Sequence, residues 1–377
     1  MHRHRGRIRP AARSSGRYGR SMTVLRFSGV VLPDEEHRDV YVVDGRVTFE
    51  THRGVDTTAR GWLVPGLVDA HNHLGLADGG AIPDAEVEEQ ALADRATGTL
   101  LLRDCGSPSD TRWVHDRDDL PRLVRCGRHL ARTRRYIRNF GHEVEPDQLV
   151  AYAAQQARES DGWIKLVGDW ISREAGDLVP SFPVETFAAA IDAAHGQGAK
   201  VTAHCFGTDV LQGLLDAGID CIEHGTGLEV SHIDQMVSQG VALVPTVQQT
   251  AKFPQFAADG REKFPAYAAT MDGLFARRRE TLLSAHEAGV DLYVGSDGGG
   301  LARHGEFAGE LEAMVALGLP AADVVAAASW KGREWLGFKG IEEGASADFV
   351  VYDADPREDL STLRRPSAVV LRGRVVG

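Results

Sequence analysis

Apolar positions fall in two textures over three stretches of the chain. From Met22 to about Val64 short runs alternate or cluster: VLRFSGVVL, DVYVVDGRVTFE and ARGWLVP. Asp-Gly and Ser-Gly pairs supply turn signals, so this stretch reads as strands. The end of the chain, ADFVVYDADP and then SAVVLRGRVVG, has the same texture. The middle alternates. Apolar runs (LVPGLVDAHNHL, GTLLLRDC, RLVRCGRHL, GWIKLVGDW, AKVTAHCFG, DCIEHGT, GVALVPTV, VDLYVGSDGG) are separated by helical patterns such as PDQLVAYAAQQARES, VETFAAAIDAAHGQG, TDVLQGLLDAG and ARRRETLLSAHEAG. Several of the helical runs end on glycine, as a helix C-terminus should. Eight strands with helices between them predict an α/β protein, a parallel (β/α)8 TIM barrel. A small β-sandwich built from both termini would complete it. The expected division is 1–21 as an extension, 22–64 with 345–377 as the composite β-domain, and 65–344 as the barrel.

Length agrees with that division. The chain has 377 residues, and a barrel of this kind takes about 250. Apolar and charged fractions of 43% and 25% are those of an ordinary globular protein. The formal net charge of -12 speaks against a nucleic-acid partner. No apolar run reaches the roughly 18 residues of a membrane span. The four cysteines show no paired spacing and no disulfide framework, so a reducing cytoplasm is the expected setting. Seven arginines and no acid mark the first 21 residues. A transit peptide or RNA-binding arm has that composition too, but a disordered extension, with Met22 as the effective start, is the simpler reading. Partners are then a small-molecule substrate, with homo-oligomerisation left open.

In such a barrel, chemistry sits at the C-terminal ends of the strands. His71 and His73 close the first strand, two residues apart and so facing one side. A bare His-x-His is a common chance match; one at a strand end is more telling. Lys165 lies within WIKLV, where an ammonium is costly to bury. It would snorkel, pair with an acid, or carry a carboxylate on its amine. His204 ends AKVTAH, His224 ends DCIEH, and Asp297 sits in YVGSDGG at the end of the eighth strand. One such histidine would be unremarked; two on successive strands, together with His71, His73 and Asp297, argue against coincidence. Four imidazoles and a carboxylate suit Zn2+, and also Mn2+, Co2+ or Fe2+.

With these residues in order, PGLVDAHNH, IKLV, TAHCFG, IEHG and GSDGG, the chain resembles the amidohydrolase superfamily, in particular its imidazolonepropionase-like and prolidase-like members. The resemblance runs from about Met22 to Gly377 and includes the C-terminal GIEEGASADFVVYDADP. It implies a two-metal hydrolase. His71, His73 and Asp297 would hold the more buried ion and His204 and His224 the other. Lys165, carboxylated by CO2, would bridge them. Asp297 would act as general base and then acid, with no serine or cysteine nucleophile. Relatives carry Gly-Gly-His after the third strand; here the segment is Asn139-Phe140-Gly141-His142, so His142 becomes a candidate substrate contact, with phenylalanine in place of the first glycine.

Candidate carboxylate binders are the loop arginines Arg132, Arg134, Arg135, Arg138 and Arg173; Glu306 and Glu310 would instead suit a cationic substrate. The expected reaction is hydrolysis of an amide or peptide-like C–N bond, of the N-acyl amino acid or dipeptide type. The alternatives are ring opening of a cyclic amide and, from a different class, a metal-free binding or assembly protein.

Overall fold

The computed structural model describes residues 24–300 and 302–376. The arginine-rich 1–21 segment and Met22 lie outside the described residues. The two chain ends meet in one seven-stranded sheet. Its order is Arg374–Val375, Ala368–Leu371, Phe349–Tyr352, Thr57–Pro65, Val24–Val31, Glu36–Val43 and Arg46–Thr48. Asp44-Gly45 turns the hairpin between Glu36–Val43 and Arg46–Thr48, both residues at positive φ (49° and 82°), as a tight hairpin with right-handed strand twist requires. Arg372-Gly373 does the same at the other end (47° and 77°). Ser28-Gly29 makes no turn. It lies inside Val24–Val31, where a Cβ on Gly29 would meet the Gly61 carbonyl oxygen at 1.7 Å. Here the glycine serves close strand approach.

The middle of the chain forms two parallel sheets. One holds Leu67–Asn72, Thr99–Asp104 and Arg122–Arg125. The other runs His142–Val144, Leu130–Arg132, Trp163–Val167, Lys200–Cys205, Cys221–His224, Ala242–Val244. The expected third strand is split between them. Arg122–Arg125 pairs with Thr99–Asp104, and Leu130 pairs with Leu166. The break falls at Gly127, which has φ 74° and no room for a Cβ beside the Gln156 side chain. The expected eighth strand forms isolated bridges, Leu292 with Leu243 and Asn72 with Gly298. Its backbone still bonds both ways: Tyr293 N donates to Leu243 O (3.0 Å), and Ala70 N donates to Val294 O (2.8 Å).

Helices pack outside these strands, among them Leu149–Glu159, Val184–His195, Leu211–Asp216, Val230–Gln239 and Pro265–Ala288. Gly240 and Gly289 end two of them in the left-handed conformation, where glycine carries no steric penalty. A large apolar cluster between strands and helices includes Leu166, Ile191, Val201, Leu214, Ile222 and Leu243. Cys205 belongs to it, on the helix side of its strand. All four cysteines are buried and unbridged. No helix among the described residues is long and apolar enough to cross a membrane.

Candidate active site

The residues at the strand ends converge. His71 Nδ1 faces Glu223 Oε2 at 2.7 Å, and His73 Nδ1 faces the Gly106 carbonyl at 2.7 Å. An acceptor at each Nδ1 keeps the proton there and leaves a lone pair on each Nε2. Those two Nε2 atoms stand 3.1 Å apart, and Asp297 Oδ1 is 3.2 Å from one and 3.1 Å from the other. With both rings neutral, three acceptor atoms would share this space, and only a proton on His71 or a cation relieves their repulsion. A second pair lies alongside: His204 Nδ1 is 3.0 Å from His224 Nε2, and His224 Nδ1 is 2.6 Å from Thr246 Oγ1.

The rings form a circuit. Centroid separations are 5.0 Å for His73–His71, 5.2 Å for His71–His224 and 4.7 Å for His224–His204. Tyr136 and His129 close it: His204–Tyr136 is 5.9 Å, Tyr136–His129 5.1 Å and His129–His73 5.6 Å. Lys165 is 1% exposed, in register with Thr202 on the next strand. Its charge acts on all five histidines of the circuit, disfavouring their protonation.

Charge in this floor is set by burial and by neighbours. Burial lowers the pKa of His73, His204 and His224, keeping them neutral and able to donate a lone pair. For His71, burial and Lys165 act the same way, but Glu223 and Asp297 outweigh them and raise it. Burial also opposes the Asp297 carboxylate, yet His71 and His73 hold its pKa well below the usual range. Burial pushes the Tyr136 phenol up, with the Asp297 charge adding to it, so it stays a donor.

Four supporting residues, Glu223, Arg103, Thr202 and Asp169, carried no expected role. Glu223, fully buried, joins His71 to Arg103, whose Nη2 donates to Glu223 Oε1 at 2.6 Å; Thr202 Oγ1 donates to the same oxygen. Arg103 lies over the faces of Trp163 and Trp335 at 4.7 and 4.8 Å. The signal was present: one acid in CIEH and one base in LLLRD, each inside an apolar strand, are best buried as a pair. Asp169 accepts from the Phe206 and Gly207 amides (3.0 and 2.5 Å) and lies 3.8 Å from His204 Nε2. His71, Cys105 and Glu223 also form a cluster of metal-ligand type, but burial pushes the Cys105 thiol well up and keeps it protonated.

Above the floor is a cavity of about 410 Å3 with largely aromatic walls, including Tyr136, Phe140, Trp170, Phe206, Phe256 and Phe264. His142 does not line it. Its ring packs on Tyr152 at 4.5 Å, on the strand running beside Leu130–Arg132. None of the five loop arginines lines it either. Arg132 donates to Ser181 O (3.4 Å) and Arg135 to Trp170 O (3.4 Å) and Val179 O (3.3 Å); Arg134, Arg138 and Arg173 are exposed. Glu310 is buried, accepting from the Val247 and Gln248 amides, and Glu306 pairs with Arg364 at 3.4 Å.

A parallel α/β framework that brings imidazoles and a carboxylate together at its strand ends defines a class of hydrolase. The chain belongs to the amidohydrolase family, matching it over residues 62–376, and is a hydrolase of that family. It is similar to an uncharacterized protein of Mycobacterium tuberculosis, 49% identical over 355 residues, 94% of this chain and 96% of that one. It is 25% identical to an ochratoxinase of Aspergillus niger over 219 residues, 57% of this chain and 45% of that one. In structure it resembles a Xaa-Pro dipeptidase with methionine bound in its active site: TM-score 0.78 at 20% identity, covering 94% of this chain and 100% of that one.

Proposed function

We propose that this enzyme hydrolyses an open-chain amide of the N-acyl amino acid type, using divalent metal ions held by His71, His73, Asp297, His204, His224 and a carboxylated Lys165. The observation that carries the reading is the meeting of His71 Nε2, His73 Nε2 and Asp297 Oδ1 within 3.1–3.2 Å. Like acceptors this close repel unless a proton or a cation lies among them, and a metal ion would satisfy all three at once. The donor set therefore fits a metal, with nitrogen and oxygen ligands suited to Zn2+. When bound, divalent ions polarise a carbonyl oxygen and lower the pKa of water.

The chain's own residues do the rest. Glu223 and Gly106 fix the tautomers of His71 and His73. Asp297, ionised, takes a proton from the attacking water and passes it to the nitrogen as the C–N bond breaks, so acid and amine leave separately. The protonated Tyr136 phenol, which lines the cavity beside His204, would donate to the oxygen on which charge develops. Aromatic walls exclude bulk water. This scheme gives His142 no part.

The wall behind the site is read as one (β/α)8 barrel over 65–344. Residues 122–132 belong to both parallel sheets, and 291–298 bonds to a strand of each. The seven-stranded sheet would be the core of a composite terminal domain.

Metal analysis of the purified protein, followed by an amide panel with product identification after loading with Zn2+ or Mn2+ in bicarbonate, tests the proposal. Bound metal and release of a free acid and amine are expected. Activity confined to cyclic imides or lactams would replace the reading with ring opening. A protein that binds no metal and cleaves no amide would end it.

A further inference from the structure

The floor of the site has a direction. His73 and His71 stand at one end with Asp297, and His204 stands at the other with His224 between. If Asp297 hands its proton to the leaving nitrogen, that nitrogen lies toward the His71–His73 end. The acyl substituent, across the carbonyl carbon, then points toward His204. This orientation rests on the function proposed above.

The His204 end is walled by flat rings. Phe206 is 4.2 Å from the His204 ring by centroid, Trp170 5.3 Å and Tyr136 5.9 Å. Trp170 and Tyr136 meet edge to face at 4.7 Å. Phe253 ties Phe206 (4.7 Å) to Phe256 (6.2 Å), which continues the wall outward. Apart from the floor and the phenols of Tyr136 and Tyr267, polar lining is confined to Gln249 and to Asp259 and Lys263, both exposed at the mouth. The arginines that could have clamped a small zwitterion are turned to backbone carbonyls or to solvent. A cavity of about 410 Å3 is far larger than an acetyl group needs and lies in the range of drug-sized ligands, roughly 300–1,000 Å3.

We infer that the acyl half of the substrate is a planar aromatic carboxylic acid, of one or two fused rings, bound between Trp170, Tyr136 and Phe206 at the His204 end. Ring stacking and burial of apolar area would supply the selectivity. A small aliphatic acyl group would leave the wall wet.

The test compares N-(2-naphthoyl)-L-alanine with N-acetyl-L-alanine on the metal-loaded enzyme, and measures calorimetric binding of 2-naphthoate and acetate as products. The naphthoyl amide should be favoured about 100-fold in kcat/KM. In Trp170→Ala that ratio should fall to about 10-fold or less, with bound metal unchanged. Naphthoate should bind at least about 100-fold more tightly than acetate, and Phe256→Leu should weaken it. Equal or greater kcat/KM for the acetyl amide, or naphthoate binding no tighter than acetate, overturns the inference while leaving amide hydrolysis standing. If neither amide is cleaved, the function above fails; naphthoate binding still decides for or against the aromatic pocket.

Discussion

Glu223→Gln is the sharpest probe of how the site is held. The carboxylate has no exposure. Oε1 takes Arg103 Nη2 at 2.6 Å and Oε2 takes His71 Nδ1 at 2.7 Å. Glutamine keeps the shape but turns one oxygen into an NH2, which must face either the guanidinium or the His71 N–H, donor against donor. Arg103, also without exposure, cannot shed its proton. It would keep the Ala70 carbonyl at 2.6 Å and two indole faces. Removing one partner of a buried pair costs about 3–5 kcal/mol, and these remaining contacts put the expected loss at the lower end, about 3 kcal/mol. His71 also loses the acceptor that fixes its tautomer, which should weaken metal binding about 10–100-fold. Urea denaturation of the metal-free protein reads the first effect, chelator competition the second. Burial works against the Glu223 charge, but Arg103, His71 and Lys165 outweigh it and hold the pKa well below its usual value. The contribution is therefore present above the unfolded pKa of about 4.3 and lost as pH falls through the folded value. The variant's deficit should persist at neutral pH and close only in strong acid. A variant within about 1 kcal/mol of wild type at neutral pH, with unchanged metal affinity, would refute the reasoning.

Burial raises Glu310 and Asp104 each to about 8; the folded state keeps protons that the unfolded chain releases near pH 4, so their stabilisation is lost as pH rises through about 8. The urea midpoint should therefore fall between about pH 6 and about pH 9, less steeply in Glu310→Gln, and a midpoint that rises there would contradict the assignment. Wild-type protein loaded in 13C-bicarbonate should show a carbamate carbon by NMR that Lys165→Ala lacks; no such signal in the metal-loaded wild type would remove the bridging role. Tyr136→Phe should lower kcat about 100-fold with bound metal unchanged, and an unaltered kcat would take Tyr136 out of the reaction.

The proposed histidine and aspartate ligands were legible because each stands where an apolar run stops, and a strand end in a parallel sheet is where side chains gather; Lys165 stood out instead as a lone charge inside its strand. Periodicity carries that information directly. The Asp44-Gly45 hairpin was legible too, since that pair carries turn chemistry, whereas the Arg372-Gly373 turn had no such signal read from it. The aromatic cavity was not legible. Tyr136, Trp170, Phe206 and Phe256 come from four separate segments, and no local pattern marks rings that meet only after folding. The loop arginines misled for the same reason. Composition shows their charge, whereas their direction depends on carbonyls of the Asp169–Ser172 and Asp177–Pro180 hairpin and its neighbour Ser181. His142 resembles its counterparts by sequence spacing, but the strand it joins turns its ring onto Tyr152.

Backbone conformation at the site was equally hidden, and it explains why these strand ends can present ligands at all. His224, Thr246 and Asp297 have φ of 67°, 42° and 55°, a left-handed region that costs a residue with a side chain about 1–3 kcal/mol. None is glycine, so nothing in the sequence announces it. Neighbouring strands impose it at Asp297 and His224, and the helix that follows imposes it at Thr246. Asp297 N donates to His71 O at 2.8 Å, Gly225 N just after His224 donates to Cys205 O at 3.0 Å, and Thr246 O takes the amide of Gln249 in Val247–Thr250 at 3.0 Å. Each bond turns the chain out of the strand direction at the residue whose side chain the site uses. The other left-handed residues with side chains, such as Asp44 and Arg372, sit in turns between strands. Strain at these three positions is therefore tied to the site: an extended strand would point alternate side chains into the packed faces of the sheet, and leaving it at the last residue aims His224 and Asp297 at a common floor.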